Sequence, residues 1–346
     1  KDLEYLKAQF PSPRKTKLVA QGLKEFNEED LIPQEEIVIT LSEDGYLKRM
    51  SPDAFRPQKR GGKGLIGFEL KEEDQIRQII SANTHDNVLF FTDKGRVFQT
   101  KAHELPVASR TSKGKSIHNF LTIPQGEKIS ALVAYKDKEI GFLVMATKNG
   151  IMKKTAIRDF ANVRRSGIIA LKLKTNDALQ WAKLSSGTDE FILVTEKGQA
   201  IRFKEKDVRP MGRTASGIKA MRLKGNDTVA GLDIIKTGDK ERRASNQLEL
   251  LVVMSHGFAK RTPLKEYKVQ HRGGGGIKTA NVTEKTGRLI AAHIVSNEIK
   301  ELLAFSSKGQ ALRTKLETIR SAGRATQGVK IMNLETGDSL IGIVCL

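Results

Sequence analysis

The chain repeatedly places glycines beside lysines and arginines, a combination suited to binding phosphate. Glycine lets the backbone approach a ligand closely, and Lys or Arg supplies hydrogen-bonding positive charge. The densest example is Gln58-Lys59-Arg60-Gly61-Gly62-Lys63-Gly64, where three cations flank the glycines. This segment, the glycine box, is also typical of a plain glycine-rich loop between strands. Its interpretation therefore depends on the surrounding sequence.

Basic residues recur at fixed distances from six hairpin glycines, which lie 48 to 59 residues apart: Gly45, Gly95, Gly150, Gly198, Gly257 and Gly309. The strand after each glycine carries cations at its third or fourth position, namely Lys48, Arg49, Lys153, Lys154, Arg202, Lys260, Arg261 and Arg313, with Gln99 in the second copy. A second glycine follows 19 residues after the first, or 17 in the third copy, and an arginine precedes it: Arg60, Arg110, Arg164, Arg213, Arg272 and Arg324. A single such cation is usually part of a solvated face. Charges kept in register through six copies instead predict a continuous basic rim that binds nucleic acid.

Composition narrows the class of partner. The 346 residues include 60 Lys and Arg against 40 Asp and Glu, a formal charge of +20, which favours nucleic acid or an anionic membrane surface. Aromatic residues make up only 5%, whereas single-strand binders need aromatic platforms for stacking, so duplex DNA is the better match. No apolar run could span a membrane, and the first residues lack the order of a signal peptide. The single Cys345 fits a reducing cytosol, and the histidine and cysteine spacing predicts no metal site.

The spacing of the glycines predicts an all-β array of repeated units. Each copy contains four short strand candidates, in the first copy Ile37–Leu41, Tyr46–Met50, Gly64–Leu70 and Ile76–Ala82. Four strands at a period near fifty indicate a propeller-like fold of six blades, with an open β-solenoid as the alternative. The predicted blades span about 31–84, 85–137, 138–186, 187–246, 247–298 and 299–346. Residues 1–30 are predicted to form a short helix and a linker.

The glycine box and its flanks resemble the C-terminal DNA-wrapping domain of DNA gyrase A, which is part of a type IIA topoisomerase. The family's signature is written Gln-Arg-Arg-Gly-Gly-Lys-Gly, and Lys59 replaces its first arginine. The segments 44–49 and 90–97 match as well, and the resemblance covers about residues 31–346. It implies a six-bladed β-pinwheel, in which neighbouring blades exchange strands and duplex DNA wraps around the rim without sequence preference. It also implies a role in negative supercoiling, in which the wrap gives chirality to the arrangement of the two DNA segments.

The resemblance carries further expectations about partners. The domain would act within an A2B2 holoenzyme with the gyrase B subunit, where ATP and Mg²⁺ bind other parts of the enzyme. The isolated domain would be a monomer without a cofactor, working at the nucleoid in the cytoplasm. None of Tyr5, Tyr46, Tyr135 and Tyr267 resembles a cleavage tyrosine, so the chain is not expected to cut DNA by itself. The segment Gln270-His271-Arg272-Gly273-Gly274-Gly275-Gly276 aligns with the box, either as a weaker phosphate clamp or as a plain loop.

Three other functions stay open. Topoisomerase IV carries a related domain for substrate selection, but its box is absent or degraded, which favours the gyrase type. A protein-interaction propeller would need neither the box nor the basic rim. A propeller glycosidase would need converging carboxylates, whereas the acidic residues here fall mostly in turns.

Overall fold

The computed structural model describes residues 1–10, 31–52, 76–109, 112–239 and 247–345. These residues form one short α-helix, α1 (Asp2–Gln9), and many short strands. The chain divides into two compact units, Lys1–Pro33 with α1, and Gln34–Leu346 with all the strands. No helix within the described ranges is long and apolar enough to cross a membrane.

The strands follow one another in a regular order along the second unit. The first twelve are β1 (Glu36–Ser42), β2 (Tyr46–Met50), β3 (Ile76–Asn83), β4 (Asn87–Thr92), β5 (Arg96–Lys101), β6 (Lys115–Ser116), β7 (Ile129–Tyr135), β8 (Phe142–Thr147), β9 (Ile151–Ala156), β10 (Ile168–Ile169), β11 (Leu179–Ser185) and β12 (Glu190–Thr195). The others are β13 (Gln199–Lys204), β14 (Ile218–Lys219), β15 (Val229–Ile235), β16 (Glu249–Met254), β17 (Phe258–Pro263), β18 (Val269–Gln270), β19 (Ile277–Lys278), β20 (Leu289–Val295), β21 (Glu301–Ser306), β22 (Ala311–Lys315), β23 (Val329–Lys330) and β24 (Leu340–Cys345). Single 3₁₀ turns follow the outer hairpin strands of blades 2 to 6, at Ala102–Glu104, Ile157–Phe160, Glu205–Asp207, Leu264–Glu266 and Leu316–Thr318.

These strands form six sheets, one per repeat, which are antiparallel apart from the two-residue pair of β13 with β18. They confirm the six-bladed fold class. In each blade a middle strand pairs with its hairpin partner on one side and with an inner strand on the other, as β4 pairs with β5 and β7. The middle strands are continuous apolar runs; every residue of β4 is buried. Such a strand is covered on both faces because a neighbouring blade packs on each side. The apolar clusters accordingly lie between successive blades.

Each hairpin turns at the predicted glycine. In blade 2 the three-residue turn Asp93-Lys94-Gly95 ends with Gly95 at φ +79°, and the Gly95 N–H donates to Thr92 O over 3.0 Å. The hydroxyl oxygen of Thr92 accepts from the N–H of Arg96. A Cβ added to Gly95 would lie 2.3 Å from Leu171 O, so the position requires glycine on two grounds.

The outer edge of the first five sheets shows the exchange that the resemblance implied. The short strands β6, β10, β14 and β23 each pair with the outer hairpin strand of the preceding blade, β2, β5, β9 and β17. Blade 4 receives both β18 and β19 from the next repeat. The sequence predicted full strands here, but each exchanged segment pairs over only two residues. The candidate Gly64–Leu70 lies outside the described residues, and within them β22 has no further strand partner.

The blades are arranged in a ring. Ile76 of blade 1 packs against Leu303 and Phe305 of blade 6, which brings the first and last blades into contact. The inner strands β3, β7, β11, β15, β20 and β24 line a central cavity of about 750 Å³. The ring excludes the open solenoid, and the exchanged strands lie at the outer edges of blades 1 to 5.

Candidate nucleic-acid interface

The predicted rim lysines in the strands are not at the surface. Lys48, Lys153, Lys154 and Lys260 are 7%, 0%, 4% and 0% exposed. Lys153 Nζ donates to Gly212 O over 3.1 Å and to the carbonyls of Arg213 and Ala170. The prediction that these four lysines belong to an exposed rim is wrong, because their ammonium groups bind acceptors inside the fold.

Lys154 points the other way from Lys153 and joins two blades through a buried carboxylate. Its Nζ lies 3.3 Å from Glu205 Oε1 and 4.7 Å from the centre of the Phe142 ring. Glu205 also accepts from the Ser185 hydroxyl over 2.7 Å and from the N–H of Asp189 over 2.9 Å. A buried charge pair with this many hydrogen bonds holds neighbouring elements in one arrangement.

The arginines at the fourth strand position have a similar structural role. Arg202 pairs with Glu190 of its own blade at 2.7 Å and donates to Leu264 O and Tyr267 O of the next blade, at 3.1 and 3.0 Å. Arg261 repeats this pattern with Glu249 at 2.9 Å and Ile319 O at 2.7 Å.

The first and last copies keep part of this pattern. Arg49 Nε donates to Leu105 O of the next blade over 2.8 Å. Arg313 pairs with Glu301 of its own blade. All four arginines, including Arg202 and Arg261, are half-buried, and their guanidiniums bind acceptors within the protein.

The loop arginines before the second glycine are more accessible, and they differ from blade to blade. Arg164 is exposed and Arg213 half-exposed, and neither guanidinium has a hydrogen-bond partner among the described residues. Arg272 is exposed but donates to Asp207 O over 2.8 Å and to Lys219 O over 3.0 Å. Arg324 makes longer contacts, to Lys278 O at 3.3 Å and to Glu266 at 3.9 Å. Arg110 and the whole glycine box, Gln58–Gly64, lie outside the described residues.

Six exposed cations at the outer edge were missed in the sequence. They lie eleven or twenty-one positions after the hairpin glycines of the last three repeats, and are here called the outer cations: Arg209, Lys268, Arg320, Lys219, Lys278 and Lys330. The last three are in the exchanged strands β14, β19 and β23, at the edge farthest from the central cavity. The same register argument that singled out Arg202 and Arg261 would have found them, had it been extended past the second glycine.

The box-like loop in blade 5 is attached to its neighbour. The Gly273 N–H donates to Ala220 O over 2.6 Å, and Gly274 O accepts from the N–H of Arg222 over 2.8 Å. A Cβ at Gly275 would meet nothing within 4 Å, and the His271 side chain is fully exposed with Nδ1 3.8 Å from Asp207. Loop backbone open to solvent beside exposed cations can contact a phosphate backbone, which carries no sequence information.

Comparison with known proteins places these features in a family. The chain is 40% identical over 338 residues to the DNA gyrase A protein of Staphylococcus epidermidis, and 39% identical over 335 residues to that of Staphylococcus aureus. These alignments cover 97% and 96% of this chain and 37% of each relative. The chain therefore spans little more than a third of the curated relatives that it matches.

Solved structures agree with the observed fold. A DNA gyrase A C-terminal domain matches with a TM-score of 0.72 and 28% identity, covering 90% of this chain and 99% of that one. A C-terminal domain of DNA topoisomerase IV matches with a TM-score of 0.73 and 25% identity, covering 91% and 94%. The family model described as DNA gyrase C-terminal domain, beta-propeller, matches six times, at residues 36–83, 86–135, 141–186, 189–236, 249–296 and 300–346. One match falls on each blade, and the chain belongs to the DNA gyrase A C-terminal domain family.

Proposed function

We propose that this chain binds, bends and wraps duplex DNA around the outer edges of its blades without sequence preference. Within the full gyrase A protein, the wrap gives a fixed handedness to the crossing of two DNA segments, so that the ATP-driven enzyme introduces negative supercoils. The chain acts as a wrapping element, while cleavage, ATP and Mg²⁺ belong to other parts of an A2B2 holoenzyme with the B subunit. That enzyme would work on the nucleoid in the cytoplasm.

One observation carries the proposal: the outer cations recur at the same two positions of repeats 4, 5 and 6. Equivalent positions on successive blades of a ring lie at successive points along its circumference. A duplex that contacts them all must therefore bend, and its bonds to these cations must offset a bending free energy of about 1–6 kcal/mol. Lys and Arg that neutralise phosphates supply this without reading bases.

The glycine box, Gln58–Gly64, is proposed as the contact that closes the wrap. Its support is the sequence: three cations and three glycines in the first repeat, which the ring places beside the last. The box-like loop at residues 270–276 is proposed as a weaker contact of the same kind. The isolated domain is expected to act as a monomer.

A salt titration of binding to duplex DNA tests the proposal. If about ten phosphates are neutralised, log K should fall against log salt concentration with a slope near −9. Two unrelated duplex sequences should bind alike, and a single strand of the same length should bind more weakly because the outer edge carries few aromatics for stacking. A slope shallower than about −3, or strong preference for one sequence, would contradict wrapping by several blades.

The similarity to a topoisomerase IV C-terminal domain supports a second candidate, selection of DNA crossings without stable wrapping. The intact glycine box favours the gyrase role. The two candidates differ when the chain is joined to the rest of the gyrase A protein and to the gyrase B protein. In the gyrase role it should support ATP-dependent negative supercoiling. In the topoisomerase IV-type role it should support only relaxation or decatenation.

A further inference from the structure

Three buried lysines hold loops of the following repeats in place. Lys48, Lys153 and Lys260 occupy the third position after the hairpin glycine in repeats 1, 3 and 5. Each extends its Nζ to the loop before the second glycine of the next repeat. The acceptors are Ser109 O and Ser112 O, at 3.2 and 2.6 Å, for the first lysine.

The other two lysines bind the backbone of the loop arginines themselves. Lys153 Nζ donates to the carbonyl of Arg213 and, over 3.1 Å, to that of Gly212. Lys260 Nζ donates to the carbonyl of Arg324, to Gly323 O over 2.7 Å and to the Thr326 hydroxyl over 3.2 Å. In both loops the attachment points therefore include the backbone of the loop arginine and of the glycine before it.

These ammonium groups cannot also bind a phosphate. An ammonium has three N–H donors, and the Nζ of Lys153 and that of Lys260 each donate to three acceptors within the protein. Burial, helped by the nearby guanidiniums of Arg213 and Arg324, lowers the pKa of both lysines to about 8, so both are still charged at neutral pH. A cation that remains charged while buried is tightly bound to its carbonyl acceptors.

The alternate blades show what happens without such a lysine. The third position is Phe98, Ile201 or Leu312 in repeats 2, 4 and 6. Phe98 belongs to repeat 2, and the loop of repeat 3 packs against its ring at Gly167. A Cβ added to Gly167 would lie 2.5 Å from a ring carbon of Phe98. In the loop beside Ile201, the Arg272 guanidinium itself donates to two carbonyls of the preceding blade.

We propose that Lys153 is a positioning residue for DNA binding. By fastening the loop backbone it releases Arg213 from that task, so that the Arg213 guanidinium is available to phosphate. Arg213, next to Lys153, has no hydrogen-bond partner in the part of the chain that the structure describes, whereas Arg272 fastens its own loop. The inference rests on the proposed function, because it assumes that Arg213 meets DNA.

A double-mutant cycle tests the positioning role in the 346-residue chain. Arg213→Ala and Lys153→Met should each weaken duplex binding about three- to tenfold, the loss of roughly one charged hydrogen bond. The double variant should bind about as well as the weaker single variant, because the lysine acts through the arginine. The exposed Lys136→Met, a matched loss of charge after β7, should bind as the parent does.

Two results would overturn the proposal. If the losses multiplied in the double variant and the salt slope fell by about one unit for each substitution, Lys153 would contact phosphate itself. If Lys153→Met left binding unchanged, the fastened backbone would not matter to DNA. Should Lys153→Met fail to fold, the same cycle with Lys153→Leu, the residue type that Leu312 provides at the equivalent position of repeat 6, gives the answer.

Amide hydrogen exchange separates this inference from the proposed function. Lys153→Met should speed exchange at residues 214–217 while the strands of blade 4 stay protected. If the parent chain bound no duplex, the proposed function would fail, and the exchange result would still report whether the lysine holds the loop. If the duplex bound and exchange in the loop were unchanged, the positioning role alone would fail.

Discussion

At the scale of the residue, arginines in this fold serve two roles that depend on what the guanidinium contacts. Arg261 is 18% exposed and joins Glu249 of its own blade to Ile319 O of the next. Arg320, one residue after Ile319, is exposed at the outer edge. The first arginine contributes to blade packing, and under the proposed function the second contacts phosphate.

This division predicts opposite effects for two alanine substitutions. Arg261→Ala should lower the free energy of unfolding by about 2 kcal/mol, because it leaves a half-buried carboxylate without its partner. The salt slope of DNA binding should not change. Arg320→Ala should leave the unfolding free energy within about 0.5 kcal/mol of the parent and make the salt slope shallower by about one unit. Urea unfolding and salt titration of both variants would check this, and the reverse pattern would contradict it.

Residue types and repeat spacing predicted the positions at which basic residues recur. They did not predict to which face of the strand each side chain points. Lys153 and Lys154 are neighbours on β9, and neighbouring side chains on a strand point to opposite faces, so both could not belong to one rim. Each face of β9 is covered by blade 4: Lys153 contacts the loop at Gly212 and Arg213, and Lys154 contacts Glu205 of the 3₁₀ turn. The single sequence contains no signal for this coverage, because it depends on the exchange of short strands between repeats.

At the scale of the element, the inner strands of blades 3, 4 and 5 are joined by one carboxylate. Asp233 on β15 accepts from Lys183 of β11 over 2.6 Å and from the N–H of Ile294 on β20 over 2.7 Å. His293 Nδ1 lies 3.8 Å away. Burial alone would raise the pKa of Asp233, but Lys183 and His293 outweigh it and hold the pKa well below its usual range.

The lowered pKa predicts a pH-dependent loss of stability. A carboxylate whose pKa is lowered in the folded state stabilises the fold above about pH 4, the unfolded-state pKa. This stability is lost as the pH falls through the folded-state pKa. Asp233→Asn should therefore lower the free energy of unfolding by about 2 kcal/mol at pH 7 and make the acid side of the stability profile shallower. The exposed Glu139→Gln should match the parent. Thermal unfolding from pH 3 to 8 would check this; parallel profiles for Asp233→Asn and the parent would contradict it.

The hairpins were predictable within about a residue, whereas the partners of the short strands were not. β2 matches its predicted bounds Tyr46–Met50, because an apolar run, a polar turn and a glycine specify a hairpin locally. A two-residue segment such as β14 is too short to choose a partner by itself. It pairs with β9 because the loop is fastened there, through Lys153 and through the Gly217 backbone, whose added Cβ would lie 2.7 Å from Met152 O.

At the scale of the whole molecule, the ring converts six similar units into one curved surface. The contact of Ile76 with Leu303 and Phe305 brings blade 1 to blade 6, which no local pattern predicted. The strand lysines are buried and the strand arginines bind acceptors within the fold, whereas the outer cations are exposed and the loop arginines are more accessible. The proposed wrapping therefore depends on loops and exchanged strands rather than on the hairpins.

The most direct test of this account is the topology of a plasmid bound by the chain. Relaxed plasmid is incubated with increasing protein, treated with a nicking-closing enzyme and stripped of protein, and the linking number is measured. The account predicts a progressive shift toward positive linking numbers, which is much reduced when Gln58–Gly64 are replaced by alanines although the variant still binds. An unchanged linking number at concentrations where the parent chain saturates the plasmid would contradict wrapping.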